Sequence, residues 1–543
     1  MPQTPLLSLR IFAPISTSPI YLFFNLRPDA IVSSRQTIPK NENRMEPRKI
    51  GFVGTDGRTL MAALETSRAT SELYPGNYRG VVVRGTPAMP AWAQRLAWPV
   101  DFLLTANNSV PAYAEALIRA FQEGILDVAL IMPESLIFDG LVDLVAEAGH
   151  GGKLIGLDRN GAFLEADKIA GKRLCREAGI PVAPAWAEVE ARDFPAVLDT
   201  CLAYLHDFGG AVLKYPYSAA GKGARIILDT WEIRDVYDLL LSDYKESYAQ
   251  VCGKKAPWPL LIEARMSGVE ISFTILVDKN GHYQILPTAL DYPERFEGLP
   301  GINNPITGGM GSISPHPLES PALMELADAS LARPLIQAMQ TRGILRPCVL
   351  YPGCFVSFGS DFRPKAIRVC EINIRPGEPE FQPIVKRLRN LGALVQAMVA
   401  GTLNEVTPEV RGDQISLCLA LATGPGGPKQ QKGYPWSLTK GEMLEIDFDY
   451  FDKKKITVIP SAMDFVAGGF KSDGSRVAYL VANATVKTGQ QRGQVVETLR
   501  QRLLAAFDHA KIRVIPRENE QGNRLALRRD IGLHYQKAEL LGS

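Results

Sequence analysis

Cys370-Glu371-Ile372-Asn373-Ile374-Arg375-Pro376-Gly377-Glu378-Pro379-Glu380 is the stretch on which the reading of this 543-residue chain turns. Side chains two apart in a strand share a face. Glu371, Asn373 and Arg375 therefore project together while Ile372 and Ile374 turn to a core. Glu371 and Asn373 offer oxygens of the kind a hard cation such as Mg²⁺ takes alongside phosphate oxygens. Arg375, one step on, suits a carboxylate or phosphate held in bidentate fashion. The same alternation also fits a strand with one ordinary polar face, so the segment needs support from elsewhere.

Strand-like runs lead up to it: Ala211 to Tyr215, Ala224 to Leu228, Leu260 to Glu263, Glu270 to Val277, Tyr283 to Pro287 and Val349 to Ser357, with Ile367 to Ile374 carrying the stretch itself. Farther upstream, short apolar strands alternate with helical segments, the pattern of a wound α/β domain. Strands are expected at Lys49 to Val53, Gly80 to Val83, Phe102 to Leu104, Val128 to Ile131 and Lys153 to Ile155, and helices near Val110 to Glu123 and Gly140 to Ala148. A single helix is expected from Phe163 to Ala178, stopped by Gly179. Downstream, a third region opens with a strand at Gln414 to Ala422 and contains a Gly/Pro/Lys loop, Gly424 to Gly433. The expected fold is α/β in three parts: an N-terminal wound parallel domain (46–152), a central domain (153–405) with a smaller α+β part at about 181–270, and a C-terminal mixed α/β domain (406–543). Residues 1–45 have the Ser/Pro/Arg composition of a transit peptide, but with Met45 just before a clean strand the favoured reading is a disordered upstream extension or misplaced start; they are set aside from the fold.

Sixty basic and 58 acidic residues leave a formal charge of +2, which gives no electrostatic reason to expect nucleic acid or an anionic membrane as partner. Any anion site must be local. The seven cysteines are scattered and never spaced as CxxC, the usage of a reducing cytoplasm without disulfide framework or zinc site. No apolar run reaches the length of a membrane span. The six histidines lack metal-binding spacing and read as structural or exposed, with His316, next to Ser314-Pro315, the one placed to approach a substrate.

Two glycine-rich turns join the opening stretch. Ser218-Ala219-Ala220-Gly221-Lys222-Gly223 lets backbone N–H groups approach phosphate oxygens, with Lys222 adding charge, although it lacks the Walker pattern. Lys214, in an apolar strand context, is costly to bury unpaired, and Lys168 lies on the upstream helix. Thr307-Gly308-Gly309-Met310-Gly311 demands unusual backbone geometry or close ligand approach. Each is a weak signal alone.

Together these parts resemble the phosphoribosylamine–glycine ligase family of the ATP-grasp superfamily, from about residue 48 to 535. The resemblance is carried by Thr307-Gly308-Gly309-Met310-Gly311 with Ser314-Pro315, and by Glu371-x-Asn373-x-Arg375-x-Gly377-x-Pro379-Glu380-x-Gln382-Pro383. It implies a central ATP-grasp domain in which Lys168 and Lys214 hold ATP phosphates and Ser218, Gly221, Lys222 and Gly223 close over them. It also implies that Glu263 sits at the adenine hinge, Glu270 takes the ribose hydroxyls, and Glu371 and Asn373 bind Mg²⁺ or Mn²⁺. Arg375, with Lys222, would act on the carboxylate or acyl phosphate. Gly57, Arg58, Pro133 and Glu134 would meet phosphoribosylamine, and Thr307, Gly308, Gly309, Met310 and Gly377 would line the substrate site. The implied protein is a monomeric, cytoplasmic ligase of purine biosynthesis acting on glycine and phosphoribosylamine.

The chain departs from the family pattern mainly where substrates should sit. Gly57-Arg58 is followed by Thr59 and Leu60 in place of Glu and His, Pro305-Ile306-Thr307 replaces Pro-Asn-Thr, Ile302 or Asn303 stands for an acid, the loop from Asp291 to Thr307 is long, and Asp167 replaces Ser. Reaction type is thus better specified than the substrate pair, and a ligase for another amine or amino acid is the alternative. A silent nucleotide-binding protein would not need to keep Glu371, Asn373, Lys168 and Lys214 together.

Overall fold

A computed structural model describes residues 31–33, 46–69, 71, 73–74, 77–217, 223–298, 304, 307–423, 441–473, 476–515 and 525–535. The first sheet forms because its strands are apolar on both faces, as a sheet covered by helices on either side requires. Its central strand, Arg48–Gly54, is flanked in parallel by Tyr78–Arg84 and Val128–Ile131; Asp101–Leu103 and Leu154–Ile155 extend it outward. Chain order reverses at Arg48–Gly54, and such a switch point leaves a crevice beyond the strand's carboxyl end. The helix Gly57–Arg68 starts there, capped by Asp56, whose carboxylate accepts the Thr59 N–H (3.1 Å) and hydroxyl (2.7 Å).

Three further sheets complete the part that concerns the site. Trp186–Glu190, Pro259–Ala264, Ala211–Lys214 and Ala224–Ile227 form an antiparallel lid sheet. Val269–Ser272, Cys348–Phe358, Ile275–Val277, Tyr283–Ile285 and Pro364–Asn373 form the floor. Leu290–Asp291 and Gly311–Ser314 join Gln414–Thr423, Arg476–Thr485 and Thr457–Pro460 in the third. The ladder between Gly311–Ser314 and Gln414–Thr423 thus crosses the expected boundary at 405/406. No helix among the described residues is long and apolar enough to cross a membrane.

Four expectations need correction. The helix expected from Phe163 to Ala178 is two, Arg159–Ala166 and Lys168–Glu177, because Asp167 leaves helical geometry and caps the second by accepting the N–H groups of Ile169 and Ala170. Its carboxylate satisfies helix-terminal donors and is not simply an acid facing phosphate. The strand Glu270 to Val277 is interrupted between Ser272 and Ile275, where Phe273 N–H turns to the carbonyl of Pro352. Ile31–Ser33, set aside with the N-terminal extension, pairs antiparallel with Asp101–Leu103, whose open edge offers unpaired backbone groups. His316 is fully buried away from solvent; its Nδ1 accepts the Leu318 N–H, and burial drives its pKa down to about 3, so it stays neutral. The expected sites Ser218, Gly221 and Lys222, the departures at Ile302, Asn303, Pro305 and Ile306, and the loop Gly424 to Gly433 lie outside the described residues.

Candidate active site

The strand Pro364–Asn373 brings Glu371 and Asn373 to one face as its alternation predicts, and Arg375 follows just beyond its end. The Asn373 amide donates to the carbonyl of Tyr351 (3.0 Å) and lies 3.4 Å from Glu371 Oε1. Its oxygen faces the Arg375 guanidinium at 3.4 Å. Lys168, the first residue of its helix, places Nζ 3.1 Å from Glu371 Oε2. Lys168 above all, with Lys214, holds the Glu371 pKa down to about 2 against the opposing effect of burial. This carboxylate is ionised at any ordinary pH.

Lys214 and Lys172 converge on Glu263, Lys214 at 2.5 Å. All three are buried. Burial opposes ionisation of Glu263, but Lys214 and then Lys172 outweigh it and keep its pKa below the usual carboxylate range. Its carboxylate is therefore engaged between two lysines. Lys214 also lies 3.2 Å from the Cys370 sulfur. Gly223 is described only as the backbone acceptor of the Tyr215 N–H. A pocket beside these groups is lined by Leu164, Lys168, Lys172, Cys175, Val182 and Cys370.

Glu270 stands at the open mouth of the cleft, accessible to solvent yet ringed by acids. Burial against the surrounding protein, then the charges of Glu371 and Glu294, raise its pKa to about 7. A divalent cation beside Glu371 would relieve that repulsion. The donor set fits one: Glu371 and Asn373 supply one charged and one neutral oxygen, the sparse protein share Mg²⁺ takes when phosphate supplies the rest. Among the described residues no cluster of three or more His, Cys, Asp or Glu suits a metal held by protein alone.

Opposite the strand stands the first domain. Arg58 pairs with Asp56 (2.9 Å), donates to the carbonyl of Pro376 and lies 3.9 Å from Glu134. Gly57 N–H donates to Glu378 (3.0 Å). Pro133 caps the short helix that begins with Glu134, and Glu134 meets Arg375 at 3.1 Å. Thr59 is used in the Asp56 cap and Leu60 is fully buried, so the two departures after Arg58 face inward. Arg476, from the third region, donates to the carbonyls of Gly308 (2.6 Å), Gly309 (3.1 Å) and Glu378 (3.0 Å). The Thr307 hydroxyl accepts the Gly309 N–H (3.0 Å), and Met310 is buried beneath the turn. Gly57, Arg58, Glu134, Gly308, Gly309, Gly377 and Arg375 are therefore brought into one neighbourhood.

Sequence reasoning assigned no role to Glu165, Lys172, Asp291, Glu378, Glu380 or Arg476. Two signals were available: Lys172, four residues from Lys168 on the same helix face, and the place of Glu378 and Glu380 in the opening stretch. Glu165 is fully buried, accepts the Ile374 N–H (2.8 Å) and lies 3.5 Å from Arg375. Burial raises its pKa to about 7, against the pull of Arg375 and with the push of Glu134. The folded pKa lies above the unfolded value of about 4.3, so the folded state binds the extra proton between those values. This group's contribution to stability is present below pH 4 and lost as pH rises through 7. Glu165→Gln can still accept the Ile374 N–H and should flatten that loss. Urea midpoints of variant and wild type are expected to separate in the variant's favour from pH 5 to 8; a gap independent of pH would refute the assignment.

The family model for the phosphoribosylglycinamide synthetase ATP-grasp (A) domain matches residues 166–381. The phosphoribosylamine–glycine ligase of Nostoc sp. is 30% identical over 319 residues, 58% of this chain and 67% of that protein. That of Synechocystis sp. is 28% identical over 440 residues, 80% and 91% of the two chains. The solved phosphoribosylamine–glycine ligase of Thermotoga maritima shares the fold with a TM-score of 0.60 at 20% identity, covering 89% of this chain and 99% of that one.

Proposed function

The chain belongs to the phosphoribosylamine–glycine ligase family, and we propose on that footing that it is an ATP-dependent ligase joining glycine to 5-phosphoribosylamine. ATP phosphorylates the glycine carboxylate; the amine displaces phosphate, giving glycinamide ribonucleotide, ADP and phosphate. The observation that carries this reading is the convergence of Glu371, Asn373 and Arg375 on one face, with Lys168 reaching the same carboxylate. Phosphoryl transfer needs positioning and neutralisation of charge more than a protein nucleophile.

Lys168 and Lys214 neutralise nucleotide phosphates, Lys168 exchanging Glu371 for them. Glu371 and Asn373 hold Mg²⁺ or Mn²⁺, which when bound screens charge on the phosphates. Arg375, kept in place by Glu134 and Glu165, orients the substrate carboxylate. Glu270 accepts from the ribose hydroxyls. Gly57, Arg58, Pro133 and Glu134 face the amine substrate. On this reading the protein works on small molecules in the cytoplasm as a monomer.

One observation favours a second reading, a ligase for a different amine. Arg58 is committed to Asp56 and the Pro376 carbonyl, and Leu60 faces the core, so this loop offers little free positive charge to a phosphorylated substrate. Purified protein with ATP and Mg²⁺ is expected to release phosphate only when glycine and fresh phosphoribosylamine are both present. Release with glycine and another amine would establish the second reading, and none with any pair would refute both.

A further inference from the structure

The helices Gly57–Arg68 and Phe381–Arg387 both start at the site described above and both run to a second cleft, of about 230 Å³. At their first ends the Gly57 N–H donates to Glu378 (3.0 Å). At their far ends, about 18 Å along the longer helix, Lys386 Nζ meets Glu65 Oε1 at 2.7 Å. Arg68 lies 3.8 Å from the same oxygen and over the Trp98 ring at 5.6 Å. Glu65 is 5% exposed, so one buried carboxylate serves two cations, and both of these line the cleft.

The opposite wall brings a third cation. The helix Phe448–Lys453 ends with the Lys455 N–H donating to the Asp452 carbonyl (3.0 Å) and the Ile456 N–H to the Phe451 carbonyl (2.9 Å), the two bonds of a Schellman stop. Lys455 is thereby held at φ +52°, where glycine is the usual residue. Its side chain is exposed and forms no ion pair among the described residues. Trp98 and Phe451 give the same cleft an apolar side, and Thr457 and Asn483 a polar rim. Arg68, Lys386 and Lys455 thus outnumber Asp452 in the lining and Glu65 behind it. Guanidinium and ammonium groups converging beside aromatic rings suit a phosphate carried on a flat apolar body.

We propose that this cleft is a second ligand site, for a small aromatic phosphate, and that its occupant bears on the first site through the two shared helices. The phosphate is held by Lys455 and draws Arg68 and Lys386 away from Glu65. The link between the far ends of the helices is weakened as the ligand binds, and the Gly57–Glu378 contact at their near ends is relaxed with it. Nothing in the cleft performs chemistry, so the occupant is an effector and not a substrate.

Calorimetric titration of the full chain with phenyl phosphate, with ADP and Mg²⁺ in excess, tests this. One phenyl phosphate per chain is expected, bound at least about tenfold more tightly than inorganic phosphate or phenol. Lys455→Gly removes the ammonium and suits the backbone there, so it should keep the unfolding midpoint of wild type and weaken phenyl phosphate at least about tenfold. Glu65→Gln, which releases Arg68 and Lys386, should instead tighten it about fivefold. Hydrogen exchange at the Gly57 amide should quicken when phenyl phosphate is added to wild type and stay unchanged in Lys455→Gly. No binding below roughly 10 mM, an unaltered affinity in Lys455→Gly, or weakening in Glu65→Gln as well would overturn the site. Inorganic phosphate binding as tightly as phenyl phosphate would overturn the ligand class, and unchanged exchange at Gly57 the effector role.

Discussion

Glu371→Ala is expected to lower phosphate release at least about 10³-fold, the scale seen when a group that stabilises transferring charge is removed. Glu371 is the one acid of the strand face that Lys168 and Lys214 keep ionised, with its pKa at about 2. It lies beside Asn373 and is the charge that Glu270 feels most strongly after burial. Alanine would free Lys168 of its partner, so Glu371→Gln, which can still accept from Lys168 Nζ, serves as the structural control. Both variants should lose turnover, and in both the Glu270 pKa should fall. Circular dichroism and unfolding midpoints of the glutamine variant should stay near those of wild type. Full activity in either variant would sink the assignment of Glu371 to the metal.

Glu263→Ala should be the most damaging single change to stability. Its carboxylate is the common partner of Lys172 and Lys214, and all three side chains are no more than 5% exposed. Removing one member of a buried ionic group strands the others, at a cost of about 3–5 kcal/mol. Here two ammonium groups would be stranded at once. Replacing Glu263, Lys172 and Lys214 together by apolar residues of similar size should restore most of the loss, since replacing a whole buried ionic group is often close to neutral. Urea denaturation of the single and triple variants measures both effects. A single variant within about 0.5 kcal/mol of wild type would show that the three charges are not mutually dependent.

The difference between these residues explains what the sequence could and could not disclose. Glu371, Asn373 and Arg375 were legible because a strand's period of two converts spacing directly into a shared face, and the first sheet because its strands are apolar on both sides. Asp167 was not, since a capping carboxylate between two helical patterns looks like one more helix residue. Glu263 received a ligand role only from the family resemblance, because its lysines lie on a neighbouring strand and a distant helix. Asp291 and Glu380 meet only because Gly311–Ser314 and the start of Phe381–Arg387 are packed together, Ser312 donating to the Pro379 carbonyl at 2.9 Å. Pairings of that kind come from tertiary packing and leave no local trace.

The ladder between Gly311–Ser314 and Gln414–Thr423, together with Arg476 clasping the carbonyls of Gly308 and Gly309, bears on how such a protein can be inherited. The C-terminal quarter is no interchangeable cassette. A crossover near residue 405 that exchanged it with a distant relative would have to preserve a four-residue β-register and an arginine aimed at the Gly308-Gly309 turn, both specified on the far side of the joint.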